Sequence, residues 1–284
     1  MVRITNMTFG YKRQKLFSDL NLSLEPGNIY GLLGKNGAGK TTLLKLISGL
    51  RLPQAGTCNV LGFDPAQRPA ALLEDICFVS EELHVPAVMP SLFEKLYAPL
   101  YPRFNHAAFH EYLDEFEMDV AKRLSELSYG QKKKYLLAFG LASGCRLLLM
   151  DEPTNGLDIP SKSQFRRLLA RAGATDQVIL ISTHQVRDME NLIDPIIILD
   201  KGSIVFQQPL QEAAARLRTG IEREEPVDGT ALYAEKTLGG YVVMRRNEGT
   251  EETSIDLETL FNAVTTNREK VQAVFATSAA GKDA

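Results

Sequence analysis

The segment Gly34-Lys35-Asn36-Gly37-Ala38-Gly39-Lys40-Thr41 constrains this chain more than any other. It spells GxxxxGK[ST], follows the short apolar run Asn28–Leu33, and opens onto a helical pattern over Lys40–Gly49. Strand, glycine-rich loop and helix in that order make a phosphate cradle. Gly34, Gly37 and Gly39 permit backbone angles and close approach that a Cβ would forbid, so consecutive N–H groups can point inward at phosphate oxygens. The helix beginning near Lys40 adds unpaired N–H groups and the positive end of its dipole. Lys40 then reaches the β- and γ-phosphates, and the Thr41 hydroxyl is placed to coordinate Mg²⁺. The nucleotide-binding set read from this loop is Gly34, Asn36, Gly37, Ala38, Gly39, Lys40, Thr41 and Thr42.

A second feature gains its meaning from the first. Leu147–Met150 is an apolar run ending in Asp151 and Glu152, 111 residues beyond Lys40. Open α/β sheets bind ligands at the carboxyl ends of their strands, so such a strand would deliver two acids to the phosphates. Asp151 suits Mg²⁺, through a water, and Glu152 suits a base that takes a proton from the attacking water. Alone, an apolar run followed by two acids is only a solvated strand end.

Around these motifs the chain alternates strand-like and helix-like segments. Ile76–Val79, Val178–Ile181 and Ile196–Leu199 are short and apolar, as strands buried on both faces are. With helical patterns between them they predict an α/β fold with a parallel sheet. Val2–Phe9 and Leu16–Leu24 alternate like half-buried strands and predict an antiparallel β subdomain. Between His84 and Glu126 prolines and aromatics precede a helical period over Ala107–Met118, which predicts an inserted helical subdomain (about 84–126). Past Leu217 we expect a polar linker at Arg223–Pro226, strands at Ala231–Lys236 and Gly240–Arg245, a helix over Asp256–Val264 and a frayed tail over Ala273–Ala284. The expected division is therefore 1–217 and a small α+β extension at 218–284.

Composition narrows the partners. At 44% hydrophobic and 24% charged residues the chain is not a disordered one. Net charge is −3, and residues 211–284 hold 9 Lys/Arg against 13 Asp/Glu, which argues against a nucleic-acid partner. No stretch approaches the ~18 apolar residues of a membrane span. The N-terminus lacks the apolar core of a signal peptide. Cys58, Cys77 and Cys145 are too few and scattered for a disulfide framework or a zinc site. These features predict a cytosolic chain that meets a membrane only through a partner.

Leu127-Ser128-Tyr129-Gly130-Gln131 resembles the LSGGQ signature of the ATP-binding cassette (ABC) family, with Gly130 lying 21 residues before Asp151. Ser128 can cap a helix through Gln131–Leu141, leaving its hydroxyl and the Gly130 N–H at an anion-attracting end, although a plain helix cap reads the same way. Asn155-Gly156-Leu157-Asp158 resembles that family's D-loop. Ser182-Thr183-His184 ends a strand where its switch histidine sits, 32 residues after Glu152. Tyr11 matches the aromatic that stacks on adenine; unaided, it reads as an exposed tyrosine at a strand end. The resemblance covers about residues 1–215 and implies a P-loop ATPase using ATP and Mg²⁺, with Glu152, His184 and Lys40 catalytic. It further implies a head-to-tail dimer, in which Ser128, Tyr129 and Gly130 touch the γ-phosphate held by Lys40 of the partner subunit, and it adds Asp158 to the nucleotide-binding residues. Two positions depart from the pattern. Tyr129 replaces the first glycine of the signature, and an acid, Glu81 or Glu82, stands where the family's Gln loop offers an amide. Glu81 joins Thr41 and Asp151 as the expected metal set, since a carboxylate can ligate Mg²⁺ but cannot donate a hydrogen bond when ionised.

Within the family, repair members carry a long coiled coil between loop and signature, whereas here 87 residues separate Lys40 from Leu127 without sustained heptads. Translation factors usually hold two cassettes and a basic linker. One cassette with a short insert looks like the separate nucleotide-binding subunit of a transporter, paired as a homodimer or with a second cassette. The segments Leu100–Asn105 and Phe116–Asp119 resemble bacterial exporter ATPases. That implies a peripheral place on the inner face of the cell membrane, held by an integral membrane permease. The alternative is a soluble ABC ATPase with a regulatory or mechanical role. If a permease helix docks on Leu83–Tyr101, some of Leu83, Val85, Leu92, Phe93 and Tyr97 should be exposed.

Overall fold

Runs such as Leu147–Met150 and Ile196–Leu199 have no polar face, so they must be covered on both sides, as strands of a parallel sheet are. A computed structural model, which describes residues 1–276 except 13, 173–175, 191, 228 and 250–253, shows how they are covered. The chain opens with β1 (Val2–Tyr11), β2 (Gln14–Leu24), β3 (Asn28–Leu33), α1 (Lys40–Ile47), β4 (Ala55–Val60), α2 (Ala70–Leu73) and β5 (Ile76–Val79). Then come α3 (Pro90–Tyr97), α4 (His106–Glu115), α5 (Tyr129–Ala142), β6 (Leu147–Asp151), α6 (Ile159–Ala172) and β7 (Val178–Thr183). The remainder is β8 (Ile196–Asp200), β9 (Ser203–Gln208), α7 (Leu210–Arg216), β10 (Leu217–Glu222), β11 (Tyr233–Thr237), β12 (Gly240–Arg246), α8 (Leu257–Thr266) and α9 (Arg268–Ala276).

The central sheet has the order β5-β6-β7-β3-β8-β9, parallel except for β9. Side chains alternate across it with period two. Leu147, Leu149, Leu180 and Leu199 enter one core with α1 and the antiparallel sheet β2-β1-β4. Leu148, Met150, Ile179 and Ile198 enter the other, with α5, α6 and the helical insert. Because β3 lies beside β7 and β7 beside β6, the loop after β3 and the acids ending β6 emerge side by side at one edge.

The insert is held by aromatic packing. Phe109 of α4 meets Phe104, Tyr135 and Phe139 at ring-centroid distances of 5.5, 5.5 and 5.8 Å, and the Tyr135 hydroxyl donates to the Pro90 carbonyl at 2.8 Å. The helix expected over Ala107–Met118 ends earlier, at Glu115. Glu117 turns into the left-handed region (φ 54°), and the Met118 N–H returns to the Leu113 carbonyl at 3.0 Å, closing the helix end.

The C-terminal segment differs from expectation in two ways. Leu217–Glu222 forms β10, the edge of a sheet ordered β10-β12-β11, so Arg223–Pro226 follows a strand of that sheet rather than leading into it. Asp256 caps α8 by accepting from the Thr259 N–H at 2.6 Å, but Ala273–Ala276, expected to fray, are the last turn of α9, anchored by buried Val271 and Val274. Residues 277–284 of the expected tail lie outside the described residues. Leu257, Leu260 and Ala263 join the same core as Ile196 and Ile198, so α8 is packed onto the central sheet.

Phe109→Ala should cost about 3–5 kcal/mol, the usual range for emptying a fully buried aromatic site. Urea unfolding measures it, and a loss below about 1 kcal/mol would mean that α4 is not anchored through this ring.

Candidate active site

The loop after β3 is shaped by glycine at the point where α1 begins. Gly39 has φ +107°, and a Cβ there would stand 2.8 Å from the Phe17 ring, so no other residue fits without moving the core. The α1 N–H groups thus start flush with a cleft of about 660 Å³, walled by Tyr11, Gln14 and Leu16 on one side and by Glu81 and Asn155 on the other.

Lys40 is almost wholly buried, and its ammonium donates to the Gly34 carbonyl at 2.7 Å. It stands 3.4 Å from Glu152 Oε1. The same Oε1 lies 2.8 Å from His184 Nδ1, while the His184 N–H donates to Glu152 Oε2 at 3.3 Å. Glu152 is held in a backbone conformation (φ 46°) that costs a non-glycine residue about 1–2 kcal/mol. Its N–H donates to the Ser182 carbonyl at 3.0 Å, which ties that turn to β7. A carboxylate anchored on both oxygens, at the floor of a cleft, can take a proton from a ligand bound there.

Asp151 lies beneath this floor and is fully buried. Its Oδ1 accepts from the Ser182 hydroxyl at 2.5 Å, while Oδ2, also buried, has no protein partner. Glu81 faces the cleft and accepts from the Asn155 amide at 2.9 Å. Glu82 is exposed and does not line it. Tyr11 is exposed at the rim, its hydroxyl 3.2 Å from Thr42 Oγ1.

The cleft therefore gathers Tyr11, Asn36, Gly37, Gly39, Lys40, Thr41, Thr42, Glu81, Glu152 and His184 from the sequence expectations. Gly34 lines a smaller adjoining pocket that also takes in Phe261 of α8, and Ala38 lines neither. Ser128, Tyr129, Gly130 and Asp158 stand outside the cleft of their own chain. Ser128 caps α5, accepting from the Gln131 N–H, while the Gln131 side chain accepts from the Ser128 N–H. Asp158 accepts from the Ser161 N–H at 2.9 Å, and bonding to Ser161 holds its carboxyl below the usual carboxylate range.

Lys133 is a residue that the sequence reading missed. It sits on α5, is fully buried, and donates to the carbonyls of Asp151 (3.2 Å) and Ser80 (3.5 Å). Burial pulls its pKa down to about 8, against the opposing pull of Asp151, Glu81 and Glu152. Ser182 and Asn155 were missed in the same way. A lysine in a run of three lysines, Lys132–Lys134, reads as a solvated helix face; only the packing of α5 shows which one turns inward.

A family model described as "ABC transporter" matches residues 17–155. The chain is 30% identical to the ABC transporter ATP-binding protein NatA of Bacillus subtilis, across 80% of this chain and 92% of that protein. It is 31% identical to the Nod factor export ATP-binding protein I of Rhizobium etli, across 88% and 78%. Among solved structures, an ATP-binding subunit of an ABC transporter superposes with a TM-score of 0.68 at 25% identity, covering 75% of this chain and 91% of that one. The dimeric post-hydrolysis cassette MJ0796 bound to ADP and Pi shares the fold, with a TM-score of 0.64 at 21% identity over 74% and 99%. Together with the loop, the paired acids and the histidine around one cleft, these likenesses show that the chain belongs to the ABC transporter family, as an ATP-binding and ATP-hydrolysing subunit.

Proposed function

We propose that this chain is the motor subunit of an exporter-type ABC transporter, working as a head-to-tail dimer on the inner face of the membrane through an integral permease. The contact of Glu152 with both Lys40 and His184 carries the reading of the motor. Glu152 takes the proton of the attacking water, His184 holds the carboxylate in place, and Lys40 neutralises charge on the transferred phosphate. Tyr11, exposed at the rim, offers a ring face to the base. Loop N–H groups and the α1 terminus bind the phosphates.

The donor set fits Mg²⁺. Asp151 Oδ2 is a buried carboxylate oxygen without a partner, and Thr41 lines the cleft above it. Among the described residues no cluster of three or more His, Cys, Asp or Glu forms a cage. This suits an ion that is held by one or two protein groups plus substrate phosphates. Thr41, Asp151 (through a water) and Glu81 would hold it, and it would supply charge neutralisation at the β- and γ-phosphates.

The transport assignment draws on the relatives' names, which include Nod factor export, bacitracin transport and doxorubicin resistance. It also draws on one surface. Of the five expected groove residues, Leu92 and Tyr97 are exposed, Leu83 and Val85 half-buried, and Phe93 is core, stacked on Tyr97 with a ring-centroid distance of 4.2 Å. Met89, Leu96 and Leu100 are exposed beside them. This apolar face of the insert is the permease dock, and no helix among the described residues is long and apolar enough to cross a membrane itself.

Glu152→Gln should keep ATP binding and lose about 10²–10⁴-fold in turnover, roughly 3–5.5 kcal/mol of barrier, accumulating as an ATP-bound dimer in light scattering. Near-parental turnover would remove Glu152 as the base. Lys40→Ala should weaken nucleotide binding itself, as read by titration with a fluorescent ATP analogue. Replacing Leu92 and Tyr97 together by aspartate should abolish co-purification with the permease in detergent while leaving basal ATPase intact. A charged variant that still co-purifies would move the dock elsewhere, and a chain that recovers no membrane partner in either form would favour a soluble ATPase.

A further inference from the structure

The two departures from the family pattern, Tyr129 and Glu81, touch each other. The Tyr129 hydroxyl donates to the Glu81 carbonyl at 2.9 Å. A phenol is protonated at neutral pH, so it is a donor there. The Tyr129 ring lies on Gly156, where a Cβ would stand 2.4 Å from Cε1, and the backbone at Gly130 approaches so closely that a Cβ would stand 2.9 Å from the Gly156 carbonyl oxygen. From the same turn, Asn155 donates its amide to the Glu81 carboxylate. The start of α5, the segment after β5 and the turn after β6 thus close a ring of contacts around Glu81.

Lys133 extends it. One turn along α5 from Tyr129, it donates to the Ser80 carbonyl, so two side chains of one helix face hold two consecutive carbonyls. Ser80 to Met89 has no helix or strand of its own to fix it. A glycine at 129 would supply neither the ring nor the hydroxyl.

We propose that Tyr129 is a positioning residue for the nucleotide site of its own chain, fixing through the Glu81 carbonyl and Gly156 the segment that aims the Glu81 carboxylate into the cleft. This rests on the reading above that Glu81 serves the Mg²⁺ site. It adds a function in cis to a residue whose resemblance implies contact only across the dimer.

The test measures binding of a fluorescent ATP analogue with EDTA and across a Mg²⁺ titration, at chain concentrations where light scattering reports a monomer and no contact across a dimer exists. Tyr129→Phe keeps the ring and removes one hydrogen bond. It should raise the Mg²⁺ concentration for half-maximal binding about 2- to 10-fold, with binding in EDTA unchanged. Tyr129→Gly should raise it further. Glu81→Ala should raise it too, and adding Tyr129→Phe to Glu81→Ala should change nothing more. Additive effects in the double variant, or a parental Mg²⁺ curve for Tyr129→Phe beside a shifted one for Glu81→Ala, would overturn the inference alone. A parental curve for Glu81→Ala would remove Glu81 from the metal site, and the inference would fall with it. A purely structural role would lower urea stability without moving the Mg²⁺ midpoint.

Discussion

Two ammonium groups and three carboxylates meet where the central strands end, and each depends on the others for its charge. Lys40 is buried against Glu152. Lys133 is buried against the backbone of Asp151 and feels Asp151, Glu81 and Glu152. Removing either cation would leave acids at a poorly hydrated floor, where an uncompensated charge costs several kcal/mol. The three acids still outnumber the two ammonium groups, and Asp151 Oδ2 has no partner at all. A site so arranged favours a further cation.

That arrangement is a product of strand order. Placing β3 beside β7, and β7 beside β6, sets the loop after β3 next to Glu152 and next to the end of β7 that carries His184. Period-two burial on β6 and β7 then fixes which residues point where. Leu148 and Met150 go to one core, Leu147 and Leu149 to the other, and Asp151, next in the alternation, is driven under the floor, where the Ser182 hydroxyl meets it. The loop geometry follows from the same packing, since Phe17 of the antiparallel sheet leaves no room for a side chain at Gly39.

Legibility in the sequence followed the range of the interaction. Lys40, Thr41, Glu152 and His184 were readable because each is tied to a strand end by a fixed spelling and spacing. Asn28–Leu33 and Ile76–Val79 matched their strands end to end, because short, mostly apolar runs bounded by loop residues suit strands buried in a sheet. Leu217–Glu222 was not readable as a strand. It is short, with the strand-depleted Gly220 in its middle, and it is held by pairing with β12, about twenty to thirty residues distant. Ala273–Ala276 read as tail because the small and polar residues that follow them outweighed Val274 and Phe275; two buried valines one turn apart, Val271 and Val274, anchor the helix. Lys133 carried no local signal, and Ser182 and Asn155, though inside recognised motifs, gave no sign of their own roles, since each acts on a group brought near only by the fold.

The same distinction explains Tyr129. Read along the chain, it replaces the first glycine of a signature whose second glycine, Gly130, is intact, and the expectation is that activity survives. In the fold it occupies space that the signature glycine would leave open, above Gly156 and against the Glu81 carbonyl. Glu81, the other departure, uses its backbone for Tyr129 and its carboxylate for Asn155. A glutamine at 81 could accept from Asn155 equally well, so that contact does not select the acid; what distinguishes the carboxylate is its charge. The charge is tolerable because Lys133, anchored to the neighbouring carbonyl by the same helix that presents Tyr129, lies close enough to feel it. The phenol and the lysine thus hold two consecutive carbonyls of the segment that carries the acid, and a glycine at 129 would lose both the ring contact on Gly156 and the hydrogen bond to Glu81.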